Sequence, residues 1–160
     1  MTKHIATTEV AKILRKTLKK AYPETKFSVR SSTYTGGSSI RISWTDGPTS
    51  EDVKAKTNYF QGADFDGMQD LKTYRGAREW QGEPVRFGVD FIFPERTYSE
   101  TMLRAVAEQE AAKFRMATPE ISLCKSGAAY MNSQTRQSND CGSRWTLEAH
   151  IRRVIEGRDW

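Results

Sequence analysis

The chain has 160 residues, of which 37% are hydrophobic and 11% aromatic, and its formal net charge at pH 7 is +5. This length and composition suit one domain, alone or with an appendage, and exclude a wholly disordered chain. No apolar run reaches the roughly 18 residues of a membrane-spanning helix, and the N-terminus has no apolar signal region. We therefore expect a cytoplasmic protein with no membrane partner. Two cysteines are too few for a disulfide scaffold.

The positive charge is concentrated at the N-terminus. Residues 1–30 contain eight Lys or Arg and two acidic residues, a net charge of +6, so the remaining 130 residues sum to −1. Residues 46–70 contain six Asp or Glu against two Lys. The sequence thus predicts one basic surface and one acidic surface instead of a uniformly basic protein.

Residues 7–21 predict an amphipathic helix with Thr7 as its N-cap and Pro23 just beyond its end. Apolar residues recur at helical spacing along one side. The basic residues on the opposite side form a candidate surface for nucleic acid or a partner protein: Lys12, Arg15, Lys16, Lys19 and Lys20. A solvated, lysine-rich helix face is the simpler interpretation of this pattern.

Two alternating runs, residues 26–34 and 40–45, flank a Gly-Gly pair and predict a β-hairpin. The apolar side chains of the second run, from Ile40 to Trp44, are expected to face inward. Thr49 and Asp52 have the spacing of a capping box, which predicts a short second helix that ends at Gln61-Gly62.

The second half of the chain contains fewer clear patterns. Residues 63–82 predict a loop, a short helical turn and a polar connection, and residues 85–93 alternate strongly enough to predict one long strand. A third helix is expected from Thr97 or Ser99 to about Met116. The remaining elements are a short strand over residues 121–124, a mobile loop over residues 125–143, and a last helix from Ser143 to near Gly157.

This order of elements predicts an α+β fold. The hairpin and a third strand, with room for a fourth, would form a small antiparallel sheet covered by helices on one face. We expect a core domain over residues 1–118 and a C-terminal extension over residues 119–160 that holds the mobile loop and the last helix.

The Gly-Gly hairpin is a candidate anion-binding site, because glycines expose backbone N–H groups and hydroxyls add donors. The candidate residues are the turn and its basic and aromatic neighbours: Arg30, Tyr34, Gly36, Gly37, Ser38 and Arg41. No phosphate-loop motif accompanies them. A hairpin turn that needs a positive φ is therefore the simpler interpretation.

An acidic patch is predicted from Asp46, Glu51, Asp52, Asp64, Asp66 and Asp70. Three carboxylates within residues 64–70 are suited to Mg²⁺ or Ca²⁺, but the spacing of a calcium-binding loop is absent and Asp66-Gly67 is an ordinary turn signal. We therefore expect no metal site.

Catalytic signals are weak. A Cys-His-Asp set would lack a flanking motif, and a zinc site would lack a close-spaced pair of ligands. The residues concerned are Cys124, Asp140, Cys141 and His150. Glu108 and Glu110 have the pattern of a solvated helix face. We expect no catalytic residues and no cofactor, which favours a non-enzymatic protein.

Three blocks of sequence carry a family resemblance: FSVRSSTYTGGSSIRISWTDGPT (27–49), FQGADFDGMQDL (60–71) and VRFGVDFIFPERTYS (85–99). In this order they resemble the large polyvalent protein-associated domain of type 29, over about residues 4–99. The resemblance implies an origin in a phage or plasmid, and work at host entry that includes counter-defence in the host cytoplasm. It implies no set of catalytic residues.

Three functions remain open. The first is an inhibitor of a host nuclease or defence complex, such as CRISPR or restriction, with a host protein or ribonucleoprotein as partner and the acidic patch as a mimic of phosphates. The second is a sequence-nonspecific nucleic-acid-binding module that uses the basic helix face. The third is a nucleotide-binding or nucleotide-sequestering protein, or an enzyme, that uses the hairpin and the Asp-rich segment. The oligomeric state is not predicted.

Overall fold

The computed structural model describes residues 2–123, 129–131 and 147–157. The chain divides into two compact units, residues 1–95 and 96–160. Within the described residues, four helices and small sheets of two or three strands form an α+β protein, as predicted. The domain boundary near residue 118 that the sequence suggested stays a prediction.

The described elements follow the chain in this order: β1 (Lys3–Ile5), α1 (Thr7–Ala21), β2 (Ser28–Tyr34), β3 (Gly37–Thr45), α2 (Ser50–Thr57), a 3-10 turn (Asn58–Phe60), β4 (Ala63–Asp66), β5 (Leu71–Tyr74), β6 (Arg78–Trp80), β7 (Glu83–Phe87), β8 (Phe91–Thr97), α3 (Glu100–Phe114), β9 (Ile121–Leu123), β10 (Ala129–Met131) and α4 (Leu147–Glu156). None of the helices in this part of the chain is both long and apolar enough to span a membrane.

The core of the N-terminal unit forms where α1 packs against the β2–β3 hairpin. Val10, Leu14 and Leu18 are completely buried on one side of the helix, which the helical spacing predicted. The predicted N-cap was wrong: Ala6 occupies that position without a side-chain hydrogen bond. The Thr7 hydroxyl instead donates to the Gly88 carbonyl oxygen at 2.8 Å and ties the helix to a distant segment.

The predicted hairpin of β2 and β3 is confirmed. Its register pairs Tyr34 with Gly37, so the connection is the two-residue turn Thr35-Gly36, with Gly36 at a φ of +89°. The side chains of β3 that were expected to face inward, Ile40, Ile42 and Trp44, are buried. Strand β8 lies on the other side of β3, which gives a three-stranded sheet in the order β2-β3-β8.

The predicted capping box at the start of α2 is confirmed, since the Asp52 N–H donates to Thr49 Oγ1 at 3.2 Å and the Thr49 N–H donates to Asp52 Oδ2 at 3.3 Å. Gly62 serves a different purpose from the helix cap that the sequence suggested, because its φ is not positive. A Cβ atom at Gly62 would lie 2.6 Å from the Phe87 carbonyl oxygen and 2.7 Å from that of Val89. Glycine is required there for close approach of two backbones.

The prediction of loop and polar connection over residues 63–82 was wrong. Strands β4 and β5 form an antiparallel hairpin, and β6 pairs antiparallel with β7. Strand β1 pairs parallel with β7 on its other side. Strands of three or four residues are too short to show alternation, and the aspartates of β4 are depleted in strands generally.

The single strand predicted over residues 85–93 is two strands, because the chain changes sheets at Gly88-Val89-Asp90. The Gly88 N–H donates to the Ile5 carbonyl oxygen at 2.8 Å, beside the β1-β7-β6 sheet. The Asp90 N–H donates to the Ser38 carbonyl oxygen at 3.2 Å, beside the β2-β3-β8 sheet. The buried positions change phase across this segment, which leaves Phe93 48% exposed.

The C-terminal unit packs α3 against α4. Its core combines three residues of each helix: Leu103, Ala107, Ala111, Leu147, Ile151 and Ile155. Ser99 is the N-cap of α3, where it accepts a hydrogen bond from the Met102 N–H at 3.2 Å, and Thr97 is not.

Two predictions for the later part of this unit had different outcomes. The strand expected near residue 121 is confirmed as β9. Strand β10 lies inside the segment predicted as a loop, so that prediction was wrong there. The rest of that segment and Ser143 lie outside the described residues.

We predict that Gly62→Ala lowers the free energy of unfolding by about 1–3 kcal/mol, because the new methyl group would press on two backbone carbonyls that cannot move independently. Urea denaturation measures the change. Gly76→Ala is the matched control, since nothing lies within 4 Å of the added Cβ atom, and its effect should stay within about 0.5 kcal/mol. Equal effects of the two substitutions would contradict the proposed close approach.

Candidate functional site

The basic face of α1, defined as Lys12, Arg15, Lys16, Lys19 and Lys20, is exposed. Lys12 forms an ion pair with Glu9 at 2.7 Å, and Arg15 Nη2 donates to the Val29 carbonyl oxygen at 2.5 Å. The other three lysines make no hydrogen bond or ion pair with any described residue. The basic face therefore offers positive charge that the described part of the chain does not neutralise.

The donors of the candidate anion site at the β2–β3 turn are used within the protein. The Ser38 N–H donates to Asp90 Oδ2 at 2.8 Å, and the Ser38 hydroxyl donates to the Gly88 carbonyl oxygen at 2.8 Å. A Cβ atom at Gly37 would lie 2.8 Å from the same Asp90 oxygen. A phosphate could reach the Ser38 N–H only by displacing the Asp90 carboxylate.

Lys72 of β5 completes this polar cluster. Its Nζ donates to Asp90 Oδ2 at 2.7 Å and to the Gly36 carbonyl oxygen at 3.2 Å, and it lies 4.7 Å from the centroid of the Tyr74 ring. The hydrogen bond to Asp90, followed by the one to Tyr74, raises the pKa of Lys72. The Asp90 side chain is only 12% exposed. This largely buried ion pair anchors the β2–β3 turn to β5 and to the segment that leads into β8.

The remaining candidate residues of the hairpin lie at its surface. Arg30 and Arg41 are cross-strand partners, so their side chains share one face. Arg41 Nε forms an ion pair with Glu95 Oε1 at 2.9 Å. Tyr34 is 52% exposed. The hairpin therefore presents one arginine pair on a face separate from the Ser38 donors.

The predicted acidic patch is distributed over two elements. Asp46, Glu51 and Asp52 lie before and within the first turn of α2, whereas Asp64, Asp66 and Asp70 lie on the β4–β5 hairpin. Asp52 belongs to the capping box, and Asp66 Oδ1 accepts from the Met68 N–H at 2.9 Å. Among the described residues, no group of three or more His, Cys, Asp or Glu side chains is placed to hold a metal ion.

Sequence reasoning missed a cleft of about 470 Å³ that joins α2, the 3-10 turn, β4, β8 and the segment after β5. Its lining combines three phenyl rings with amides and charges: Lys54, Thr57, Asn58, Gln61, Asp64, Phe65, Arg75, Phe91, Ile92 and Phe93. These residues are brought together only by the tertiary fold. The one signal in the sequence was the block of aromatic and amide residues from Phe60 to Phe65.

Arg75 organises the polar side of the cleft. Its Nε donates to Asp64 Oδ2 at 2.7 Å, its Nη2 bonds the other carboxylate oxygen, and its Nη1 donates to the Asn58 carbonyl oxygen at 2.9 Å. The hydrogen bond from Arg75 lowers the pKa of Asp64, and the same bond raises the pKa of Arg75. These two charges balance, and Lys54 adds a cation that pairs with no described residue.

His150 belongs to a polar contact between α3 and α4. Its Nε2 lies 2.9 Å from Glu110 Oε2, and Lys113 Nζ donates to Glu110 Oε1 at 2.6 Å. The prediction that Glu110 lies on a solvated face was wrong, since the residue is 3% exposed. Cys124, Asp140 and Cys141 lie outside the described residues, so the structure does not test a Cys-His-Asp set or a zinc site.

The family model "Large polyvalent protein associated domain 29" matches residues 5–99, more than half of the chain. The chain therefore belongs to this family, as its sequence blocks indicated. Membership makes it a protein associated with phages or mobile elements. Comparison with curated proteins and with solved structures found no match. The matched range contains the basic face, the hairpin and the cleft.

We predict that Asp90→Asn lowers the free energy of unfolding by about 1–3 kcal/mol, because the neutral amide removes the negative charge that pairs with the Lys72 ammonium and strengthens the hydrogen bond from the Ser38 N–H. Hydrogen exchange at the Ser38 amide should accelerate. Asp70→Asn is the control, since Asp70 has a φ of 50° that asparagine tolerates. Unchanged protection of Ser38 in Asp90→Asn would contradict this role.

We predict a loss of stability in acid that depends on Glu110. Hydrogen bonds from Lys113 and then from His150 lower the pKa of Glu110 from its ordinary value of 4.5. Its stabilisation is therefore complete above that value and is lost as the pH falls through the lowered pKa. The difference in unfolding free energy between the wild type and Glu110→Gln should stay constant above pH 4.5 and shrink as the pH falls below that value. The exposed Glu108→Gln should show no such trend, and a constant difference for Glu110→Gln would contradict the prediction.

Proposed function

We propose that the protein is a non-enzymatic binding protein of a phage or mobile element that acts in counter-defence, as an inhibitor of a host nuclease or defence complex such as a CRISPR or restriction system. The observation that carries the proposal is the exposed basic face of α1, in which three lysines have no partner among the described residues. Such a face attracts phosphates or carboxylates and accelerates encounter with them. Family membership supports the setting of a mobile element.

The chemistry of the polar side chains supports binding over catalysis. The Ser38 hydroxyl and the Asp90 carboxylate hold the hairpin turn, and the Glu110 carboxylate joins α3 to α4. Each is engaged in a structural contact. The acidic patch supports phosphate mimicry less well, since its residues lie on two elements and Asp64 is balanced by Arg75. The basic face is therefore the contact surface in this proposal.

The test is a protection assay in a host that carries an active CRISPR or restriction system. Expression of the wild-type protein should raise the plating efficiency of a targeted phage, and the double variant Lys16→Glu, Lys19→Glu should remove the gain, because its basic face would repel an anionic partner surface. The matched control is Arg86→Glu, Arg152→Glu, which makes the same change in charge at exposed arginines elsewhere. A gain that persists in the Lys variant, or no gain with the wild type, would overturn the proposal.

The same face favours a second function, sequence-nonspecific binding of nucleic acid. A titration of fluorescent duplex DNA separates the two functions. Three phosphate contacts through Lys16, Lys19 and Lys20 would weaken affinity about 40-fold between about 50 and about 200 mM salt. An inhibitor that recognises only a protein surface would leave the duplex unbound at both salt concentrations.

A further inference from the structure

The cleft, as defined above, exposes aromatic surface that the core does not use. Phe65 is 57% exposed and Phe93 is 48% exposed. Phe91 and Phe93 lie with ring centroids 6.2 Å apart and planes inclined by 31°. All three rings line the same cavity. Because phenyl rings bind planar partners by stacking, the arrangement fits a ligand with a flat aromatic body.

The charge of the cleft fits a single anionic group on that ligand. Asp64 and Arg75 neutralise each other through two hydrogen bonds. Lys54 lies exposed on α2 and makes no ion pair within the described chain. The cleft therefore carries one unbalanced positive charge, on the last turn of α2.

Two amide side chains define the polar wall. The Asn58 Oδ1 accepts from Arg75 Nη1 at 3.1 Å, which orients the side chain and leaves its NH₂ group available as a donor. Both polar atoms of the Gln61 amide make hydrogen bonds within the protein, since its Nε2 donates to the Ala63 carbonyl oxygen at 2.7 Å and its Oε1 accepts from the Ile92 N–H at 3.3 Å. Gln61 therefore forms part of the wall of the cleft, and Asn58 supplies a hydrogen-bond donor for a ligand.

We propose that this cleft binds a nucleotide unit, a planar base with its phosphate, supplied as a free nucleotide or within a single strand. The base stacks against the exposed rings of Phe65 and Phe93, Asn58 donates to an acceptor on the base edge, and Lys54 binds the phosphate. A volume of about 470 Å³ lies within the range of about 300–1,000 Å³ for ligand sites. The inference goes beyond the proposed counter-defence role and does not use the basic face of α1.

The exposed apolar residues of the β4–β5 hairpin allow this occupant to be distinguished from a protein partner. Met68 and Leu71 are also exposed on the β4–β5 hairpin, at 98% and 53%, but neither lines the cleft. A docking surface for a protein would use the whole hairpin, whereas a nucleotide site uses only the rings beside the cation. Substitutions on the same hairpin therefore distinguish the two.

Binding is tested with the full chain at low salt, by calorimetric titration with the four common nucleoside monophosphates and by fluorescence anisotropy with a short labelled oligothymidylate. We expect Phe65→Ala and Phe93→Ala each to weaken binding about tenfold through the loss of stacking. Lys54→Gln should weaken binding and reduce the salt slope by about 0.7 for a single strand, the value of one phosphate contact. Circular dichroism checks the fold of each variant.

Each matched control changes a residue of similar chemistry on the same hairpin or helix as a cleft residue. Leu71→Ala removes an exposed apolar side chain from the same hairpin, and Lys56→Gln removes an exposed lysine from the same helix. Neither residue lines the cleft, so both variants should bind as the wild type does.

Each outcome bears on the proposal. Binding of monophosphates that depends on Phe65, Phe93 and Lys54 supports it with a free nucleotide as the ligand, and the same dependence with the oligomer alone supports it with a single strand. Absence of binding in both arms, as expected if the cleft holds a peptide, would overturn it, and so would equal losses in the controls. Lys16→Glu with Lys19→Glu should leave monophosphate binding unchanged, which separates this result from the test of the basic face.

Discussion

The organisation of the N-terminal unit depends on the Asp90 carboxylate. It accepts a hydrogen bond from the Ser38 N–H and one from Lys72 Nζ, and the Asp90 backbone pairs with Ser38 and Ala63. One buried residue therefore joins the β2–β3 turn, the β4–β5 hairpin and the entry to β8. A carboxylate buried to this extent is stable only when donors surround it, and here those donors come from separate segments of the chain. The β2-β3-β8 sheet and the β4–β5 hairpin, each too weak alone, are fixed relative to one another by this shared contact.

The cleft is a consequence of the same arrangement. Because Asp90 is fixed immediately before β8, Phe91 and Phe93 of that strand lie beside the β4–β5 hairpin, which contributes Phe65. Gly62 allows the preceding segment to pass against the backbone of residues 87–89 without a side chain between them. The aromatic residues of the cleft are thus positioned by polar and backbone contacts, and their rings need not be buried to be held in place.

The sequence predicted the elements that are determined by residues close to one another in the chain. The helical spacing of α1 and the hairpin of β2 and β3 are set by neighbouring residues, so both were predicted, and with them the basic face, although the turn of the hairpin is shorter than the alternation indicated. Strands β4 and β6 were missed because they are short and polar and owe their pairing to distant partners. The strand expected over residues 85–93 was divided because the hydrogen bonds of Gly88 and Asp90 to different sheets have no signature in the alternation. The cleft was missed for the same reason, since Lys54 and Phe93 meet only through tertiary structure.

The hydrogen bond from Arg15 to the Val29 carbonyl oxygen has a consequence for solubility. Strand β2 is an edge of its sheet, and an open edge is a template for pairing with another chain. Arg15 occupies an acceptor on that edge, while β8 at the opposite edge contains Pro94, which has no N–H to donate. The sheet is obstructed on both sides, so growth by addition of strands from other molecules is disfavoured. One cation of the otherwise solvent-facing basic face of α1 thus helps to keep the protein from aggregating.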